Sequence, residues 1–82
     1  MDRPTIVIKL KEIVKPYARN QEAFLNVSES TDFINDLQIN SANLVDIILD
    51  IEEAFEITID NEAMERMLDM RSAIEIVEDK LR

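Results

Sequence analysis

The sequence predicts a small all-α domain, and three observations point to that class. The chain has 82 residues, enough for one domain with a modest core. It has no glycine and only two prolines, whereas β-sandwiches and doubly wound sheets need many tight turns that usually contain glycine. Its apolar residues also recur at helical spacing. We therefore expect one domain over residues 1–82, a four-helix bundle with three main helices, a short helix in the third position and a long first loop.

The first helix is predicted near the N-terminus. Pro4 suits its first turn, where a missing N–H costs nothing, and Pro16 should end it near Val14 or Lys15. The β-branched run "TIVI" could also form a strand, but "KLKEIVK" continues the helical period and favours a helix. Its apolar stripe has spacings of four, three, one and three and consists of Ile6, Leu10, Ile13, Val14 and Tyr17.

A long connection over residues 17–32 follows the first helix. The segment "DFINDL" after it is predicted to form a single helical turn. We expect apolar side chains in both segments to pack on the core. They are Phe24, Leu25 and Val27 in the connection, and Phe33, Ile34 and Leu37 in the turn.

The second main helix is predicted to run from Ser41 to about Glu56, with Asn40 as its N-cap. Its expected buried stripe is Leu44, Val45, Ile48, Ile51 and Phe55. Three more apolar residues widen this arc, so that part of it is open to a ligand or a partner: Ile47, Leu49 and Ala54. The expected polar stripe on the other side is Asn43, Asp46, Asp50 and Glu53.

The remaining segments are shorter. "EITID" is predicted to be extended or irregular, and "NEAMERML" a short helix. Asp69 can cap a last helix, whose expected inner stripe is Met70, Ala73, Ile74, Val77 and Leu81. Methionines recur at every third position from Met64 to Met70. Core filling explains them best, although methionine also suits an adaptable apolar cleft.

The charge distribution restricts the partners. The net charge is −9, and no lysine or arginine lies between Asn20 and Glu65. The negative electrostatic potential of this acidic segment disfavours binding to nucleic acid and anionic membranes, and it attracts proteins with basic patches. The acids could equally serve only to solvate a small helical protein. The apolar runs are too short to span a bilayer, and Lys9 interrupts the first one. We therefore expect no signal peptide and a cytoplasmic location. We also expect the protein to be a monomer.

Ser41 raises a chemical question, because the chain has no histidine and no cysteine. A serine nucleophile needs a base, an orienting group and oxyanion donors, and no Gly-x-Ser-x-Gly or Ser-x-x-Lys pattern is present. Ser41 could simply be a polar residue at a helix start, or it could be modified by another enzyme. Metal binding is not expected: histidine and cysteine ligands are absent, and the EF-hand loop frame with its glycine is missing.

From about Phe33 to Val77 the chain resembles the acyl carrier protein family, and the first 20 residues fit the opening helix of that family loosely. The resemblance is carried by a Phe-x-x-Asp-Leu hook, a serine at the position of the family's Asp-Ser-Leu motif, a helix ending in Glu-Glu-x-Phe, an isoleucine before an acidic turn, and Ala-Ile in the last helix. These are Phe33, Asp36 and Leu37, then Ser41, then Glu52, Glu53 and Phe55, then Ile59, then Ala73 and Ile74.

The resemblance implies that Ser41 is the attachment point of a 4'-phosphopantetheine arm, whose thiol carries acyl chains as thioesters. The protein itself would not be an enzyme. Its partners would be a phosphopantetheinyl transferase and acyl-processing synthases, reductases, dehydratases and transferases with basic docking patches, in fatty-acid, polyketide or related lipid biosynthesis. Ile59 and Met67 match residues near the cleft that shelters acyl chains. The expected partner-binding residues are Asn43, Asp46, Leu49, Asp50, Glu52, Glu53 and Ile59.

The chain departs from the family pattern around the serine. Asn40 replaces the usual aspartate, Ala42 replaces the usual leucine, and Asn43 follows. Because the transferase reads this neighbourhood, the departures predict weaker recognition or a dedicated transferase, and they favour a carrier for a specialised pathway. Two alternatives stay open: an unmodified acidic helical interaction module, and a peptidyl carrier.

Overall fold

The computed structural model describes residues 2–81, and these form five α-helices and one short 3₁₀ helix. The elements are α1 (Arg3–Val14), the 3₁₀ helix (Lys15–Tyr17), α2 (Gln21–Leu25), α3 (Asn43–Phe55), α4 (Asn61–Arg66) and α5 (Met70–Leu81). The all-α prediction with three long helices is confirmed, as is the short helix before the last one. Helix α2, inside the long first connection, was not predicted.

The bounds of α1 follow from its sequence. The carboxylate of Asp2 accepts a hydrogen bond from the Thr5 N–H at 3.0 Å, which satisfies one of the free donors of the first turn. Pro4 is the second helical residue, where it removes no helical hydrogen bond. The α-helix ends at Val14 and Pro16 lies in the following 3₁₀ helix, as predicted.

The first connection is held to the core less evenly than predicted. Asn20 caps α2 by accepting a hydrogen bond from the Ala23 N–H at 3.0 Å. Phe24 and Val27 pack against the core, but Leu25 is 83% exposed, so its predicted burial is wrong. Successive helical side chains point about 100° apart, and the five-residue α2 can turn only one of two adjacent apolar residues inward.

The segment after this connection forms a turn anchored by Phe33 and Leu37, which are fully buried as predicted. Asp32 accepts hydrogen bonds from the N–H groups of Ile34 and Asn35, both at 2.8 Å, and Asp36 accepts one from the Asp32 N–H at 2.7 Å. Ile34 is exposed, so its predicted inward orientation is wrong. This turn directs its side chain away from the core.

One cluster of buried apolar residues holds α1, α3 and α5 together. Two further expectations about its members are wrong, because Val45 and Leu81 are exposed. Val45 lies about 100° round the helix from Leu44, and Leu81 is at the end of α5. Ile47 is buried in place of Val45. Within residues 2–81, no helix is long and apolar enough to cross a membrane.

Candidate functional site

Ser41 lies in an exposed turn immediately before α3. The side-chain oxygen of Asn40 accepts a hydrogen bond from the Ala42 N–H at 2.9 Å, and its carbonyl accepts one from the Asn43 N–H at 2.8 Å. The Ser41 carbonyl accepts a hydrogen bond from the Leu44 N–H at 3.2 Å. Ser41 is exposed, and within residues 2–81 the structure shows no hydrogen bond to its hydroxyl.

The start of α3 therefore differs from the prediction by two residues. Asn40 makes the expected hydrogen bond to an N–H two residues on, but it closes a separate turn, and the regular helix begins at Asn43. Ser41 consequently precedes the helix and does not form part of its first turn. It still lies close to the end of α3 where the backbone N–H groups and the positive end of the helix dipole point.

Buried residues fix the position of this exposed turn. Ile39, two residues before Ser41, is buried in the core, and its N–H donates to the Phe33 carbonyl at 3.0 Å. Ile47, six residues after Ser41, is also buried. Gln38 adopts a left-handed backbone conformation, with a φ of 56°, where the chain leaves the Phe33–Leu37 turn. The exposed serine thus lies in a short segment between two buried residues.

An acidic face with an apolar centre follows along α3. Asp46, Leu49 and Glu53 are all exposed, and their spacings of three and four place them on one side of the helix. Leu49 is 56% exposed. Within the described chain, neither Asp46 nor Glu53 lies within ion-pair distance of a basic side chain. These two carboxylates and the leucine between them are available for contact with another molecule.

Asn43 and Asp50 border this face and are only half exposed. The Tyr17 hydroxyl donates a hydrogen bond to the Asp50 carboxylate at 2.8 Å, which joins the 3₁₀ helix to the middle of α3. This hydrogen bond raises the pKa of the Tyr17 hydroxyl above its ordinary value, and partial desolvation and the charges of Asp50 and Asp46 act in the same direction. Asp50 therefore has a structural partner, unlike Asp46.

Glu52 also makes an internal contact. Its carboxylate accepts a hydrogen bond from the Ile59 N–H at 2.7 Å, across the segment that joins α3 to α4. The side chain is half-buried and lies about 100° round the helix from Glu53. The sequence grouped these two adjacent glutamates together, but the structure gives them different surroundings: Glu53 faces solvent and Glu52 braces a loop.

Ile59 and Met67, the two expected cleft residues, are buried at either end of α4. Met70 is buried as well, and Met64 packs partly against the core, which agrees with core filling by the methionines. An acyl chain could enter this region only if these side chains moved apart.

An open groove of about 540 Å³ lies between α4 and α5 and was not expected from the sequence. Buried Ala63 and Ile76 lie among charged residues of both signs along this groove. Ile76 was outside the predicted inner stripe of α5, yet it is buried and lines this groove together with residues of α4. Among the described residues, no three carboxylates lie close enough together to hold a metal ion.

Comparison with known proteins finds similar chains, among them three that are each named acyl carrier protein. The protein from Rubrobacter xylanophilus is 32% identical over 77 residues, which cover 94% of this chain and 93% of that protein. The protein from Desulforapulum autotrophicum is 30% identical over 76 residues, covering 93% and 97%. The protein from Coprothermobacter proteolyticus is 28% identical over 81 residues, covering 99% and 96%. No family model matches the chain.

The chain belongs to the acyl carrier protein family. Acyl carrier proteins are carriers and not catalysts, they interact with biosynthetic enzymes, and they are generally modified with phosphopantetheine. This chain is therefore a carrier in acyl biosynthesis and not an enzyme.

The structure also gives a physical basis for two of the motifs that carry the resemblance to this family. The hook of the resemblance has a structural basis, because Phe33 and Leu37 fill the core and Asp36 closes the turn between them. The Glu-Glu-x-Phe end of α3 likewise combines one exposed acid, one bracing acid and the buried ring of Phe55.

Proposed function

We propose that Ser41 carries a 4'-phosphopantetheine arm, and that the chain presents acyl intermediates to enzymes of fatty-acid, polyketide or related specialised lipid biosynthesis. The observation that carries this proposal is the exposed Ser41 hydroxyl, held in a turn before α3 in a chain of the acyl carrier protein family. When attached, the arm supplies the thiol on which acyl groups are held as thioesters, a group that this cysteine-free chain lacks.

The residues around Ser41 fit a phosphodiester. The nearest end of α3 offers backbone N–H groups and the positive end of its dipole, both of which stabilise an anion. Ala42, the residue that follows the serine, is small and exposed, so it leaves room for an attached group. Asn40 holds the turn without adding a negative charge beside the phosphate.

Docking is assigned to the face formed by Asp46, Leu49 and Glu53, in the same helix that follows the serine. Exposed carboxylates speed encounter with basic partner surfaces, and Leu49 adds apolar area at the centre of the contact. Asn43 and Asp50 lie at the border of this face. Ile59 is placed by the structure in the core, so we assign it to the cargo cleft and not to direct docking.

The modification is tested by incubating the purified chain with coenzyme A and a broad-specificity phosphopantetheinyl transferase, followed by intact-mass measurement. The wild type should gain the mass of one phosphopantetheine group, and Ser41→Ala should gain none. Ser30→Ala, which alters another exposed serine, is the matched control and should be modified like the wild type. An unmodified wild type with several such transferases would contradict the proposal and favour an unmodified interaction module.

The departures around the serine give a second test. Asn40→Asp keeps an oxygen that can accept from the Ala42 N–H, so the turn should be preserved while a negative charge is added for the transferase to contact. We expect kcat/KM of modification to rise about two- to fivefold, the range of one exposed ion pair. Asn35→Asp, which adds the same charge at another exposed loop position, should leave kcat/KM unchanged. Equal rates for Asn40→Asp and the wild type would refute a charge requirement at this position.

A further inference from the structure

Asn40 places an amide side chain directly before Ser41, and this pair differs from every other asparagine site in the chain. The backbone nitrogen of the residue after an asparagine can attack the side-chain carbonyl of that asparagine, because the two groups are held close together within one chain. A bulky following side chain slows the attack, since it crowds the nitrogen. Asn40 is the one asparagine of the sequence that precedes a small residue. The others precede larger residues, which are Gln21, Val27, Asp36, Leu44 and Glu62.

The nitrogen that would attack is also free of hydrogen bonds. Within residues 2–81 the Ser41 N–H donates to no backbone or side-chain acceptor. The N–H groups that follow three of the other asparagines are engaged, because those of Val27, Asp36 and Leu44 donate to backbone carbonyls at 3.1–3.2 Å. Attack at these three positions therefore requires a hydrogen bond to break first.

The turn before α3 holds the Asn40 side chain in a suitable position. Its oxygen accepts the hydrogen bond from the Ala42 N–H at 2.9 Å, so the side chain folds back over the peptide bond that follows it. A donor on this oxygen also stabilises the negative charge that develops there during attack. Asn40 and Ser41 are both exposed, so water has access to the site.

We propose that Asn40 is a site of spontaneous deamidation, which converts it to aspartate or isoaspartate in the folded chain. The Ser41 nitrogen loses its proton and forms a bond to the Asn40 side-chain carbon. The bond from that carbon to the amide nitrogen breaks, and ammonia leaves with the released proton. Water then adds to one of the two carbonyl carbons of the resulting succinimide and reopens the ring. No electrons are transferred, and water is the co-reactant.

The two products have different consequences for the site. An aspartate at position 40 keeps an oxygen for the Ala42 N–H and adds a negative charge near the positive end of the α3 dipole, so the turn is preserved. It also restores the aspartate that the family pattern has before the serine. An isoaspartate adds a methylene group to the backbone and displaces Ser41 relative to α3. The consequence for arm attachment rests on the proposed function.

The test incubates the purified full-length chain, without its arm, at mildly alkaline pH and follows each asparagine by peptide mass analysis after cleavage at glutamate. Replacement of the amide NH₂ by a hydroxyl raises the peptide mass, and fragmentation assigns the change to one position. Asn40 should react about tenfold faster than Asn35 or Asn43, because each of these needs one hydrogen bond to break first. All three lie between Glu29 and Glu52, so one peptide reports on them together.

Two controls separate the effect of the turn from the chemistry of the residue pair. Asn40→Gln keeps an amide but must close a larger and less favourable ring, so position 40 should stay unchanged. In the urea-unfolded chain the N–H after Asn43 has lost its partner, so Asn40 and Asn43 should react at more similar rates than in the folded chain.

The effect on arm attachment is measured on the separated products, with Asn40→Asp as the marker for the aspartate form. This form should be modified by the transferase as fast as Asn40→Asp, and the isoaspartate form should be modified more slowly. An aspartate form that is modified no faster than the fresh chain would refute the effect on arm attachment.

The deamidation itself is overturned if Asn40 stays intact in the folded chain while it reacts in urea, or if Asn35 and Asn43 react as fast as Asn40 in the folded chain. These measurements do not depend on whether Ser41 accepts the arm. A failure here therefore leaves the mass-spectrometric test of arm attachment intact, and a failure of that test leaves the deamidation result standing.

Discussion

The two ends of α3 differ in burial and in the contacts that hold them. At its start, Ser41 and Ala42 are exposed, and a local turn around Asn40 holds them. At its end, Phe55 is buried, the ammonium of Lys9 lies 5.7 Å from the centre of its ring, and Glu52 braces the following segment. An exposed serine thus precedes one end of this helix, and the other end closes the core.

This difference shows how a chain of 82 residues can combine a buried core with an accessible serine. Burial near the end of α3 supplies stability, so the start of the helix needs few contacts beyond Ile39 and Ile47. The exposed acids Asp46 and Glu53 lie between the two ends.

The largest expected effect concerns the buried end. Phe55→Ala should lower the free energy of unfolding by about 3–5 kcal/mol, because it removes a buried ring and leaves a cavity. Val45→Ala, near the open end and half exposed, should cost less than about 1 kcal/mol. Urea unfolding followed by circular dichroism measures both. If Phe55→Ala does not fold, Phe55→Leu should still be measurably less stable than the wild type. Similar losses at positions 45 and 55 would show that the two ends do not differ.

The next effect concerns docking on the face between the ends. Asp46→Lys combined with Glu53→Lys should lower the affinity for a partner enzyme such as the transferase on the order of tenfold, because two attractions become repulsions. The free energy of unfolding should change by no more than about 0.5 kcal/mol per site. Glu12→Lys with Asp79→Lys changes the net charge equally on α1 and α5 and is the control for long-range steering. An equal loss with the control pair would place the docking contact elsewhere.

The smallest effect concerns the tie between the 3₁₀ helix and the middle of α3. Because its pKa is raised in the folded chain, protonated Tyr17 stabilises the fold fully below about pH 10, the ordinary tyrosine pKa. Above that pH the unfolded chain loses the proton first, so this contribution declines as pH rises through the folded pKa. Tyr17→Phe should therefore be less stable than the wild type at neutral pH, with a difference that shrinks above about pH 10. A difference independent of pH, in urea unfolding from about pH 8 upward, would refute this role for the Asp50 hydrogen bond.

The sequence predicted the parts of the fold that depend on local physics. Pro4 and Pro16 placed the ends of α1 correctly, and Asp69 caps α5 through the Ser72 N–H as expected. What periodicity could not decide was which apolar residues find a covering element. Val45 was predicted to lie in the buried stripe of α3 and Ile47 beside it, but in the packed structure Ile47 is the buried one.

The failure to predict helix α2 from the sequence has a similar explanation. Its five residues are too few to show a period, and its only local signal was Asn20, an N-cap residue followed by Glu22 in the first turn. At the candidate site, spacing correctly brought Asp46, Leu49 and Glu53 to one exposed face. The contact between Glu52 and Ile59 crosses a loop, and a one-dimensional pattern cannot reveal it.

The central claim is that the open end of α3 bears the arm in the cell. It is tested most directly by intact-mass and peptide-mass analysis of the protein purified from its own cells. The account predicts a population that carries phosphopantetheine, with the added mass on the peptide that contains Ser41. A chain whose Ser41 is always unmodified, in cells whose other acyl carriers are modified, would contradict it.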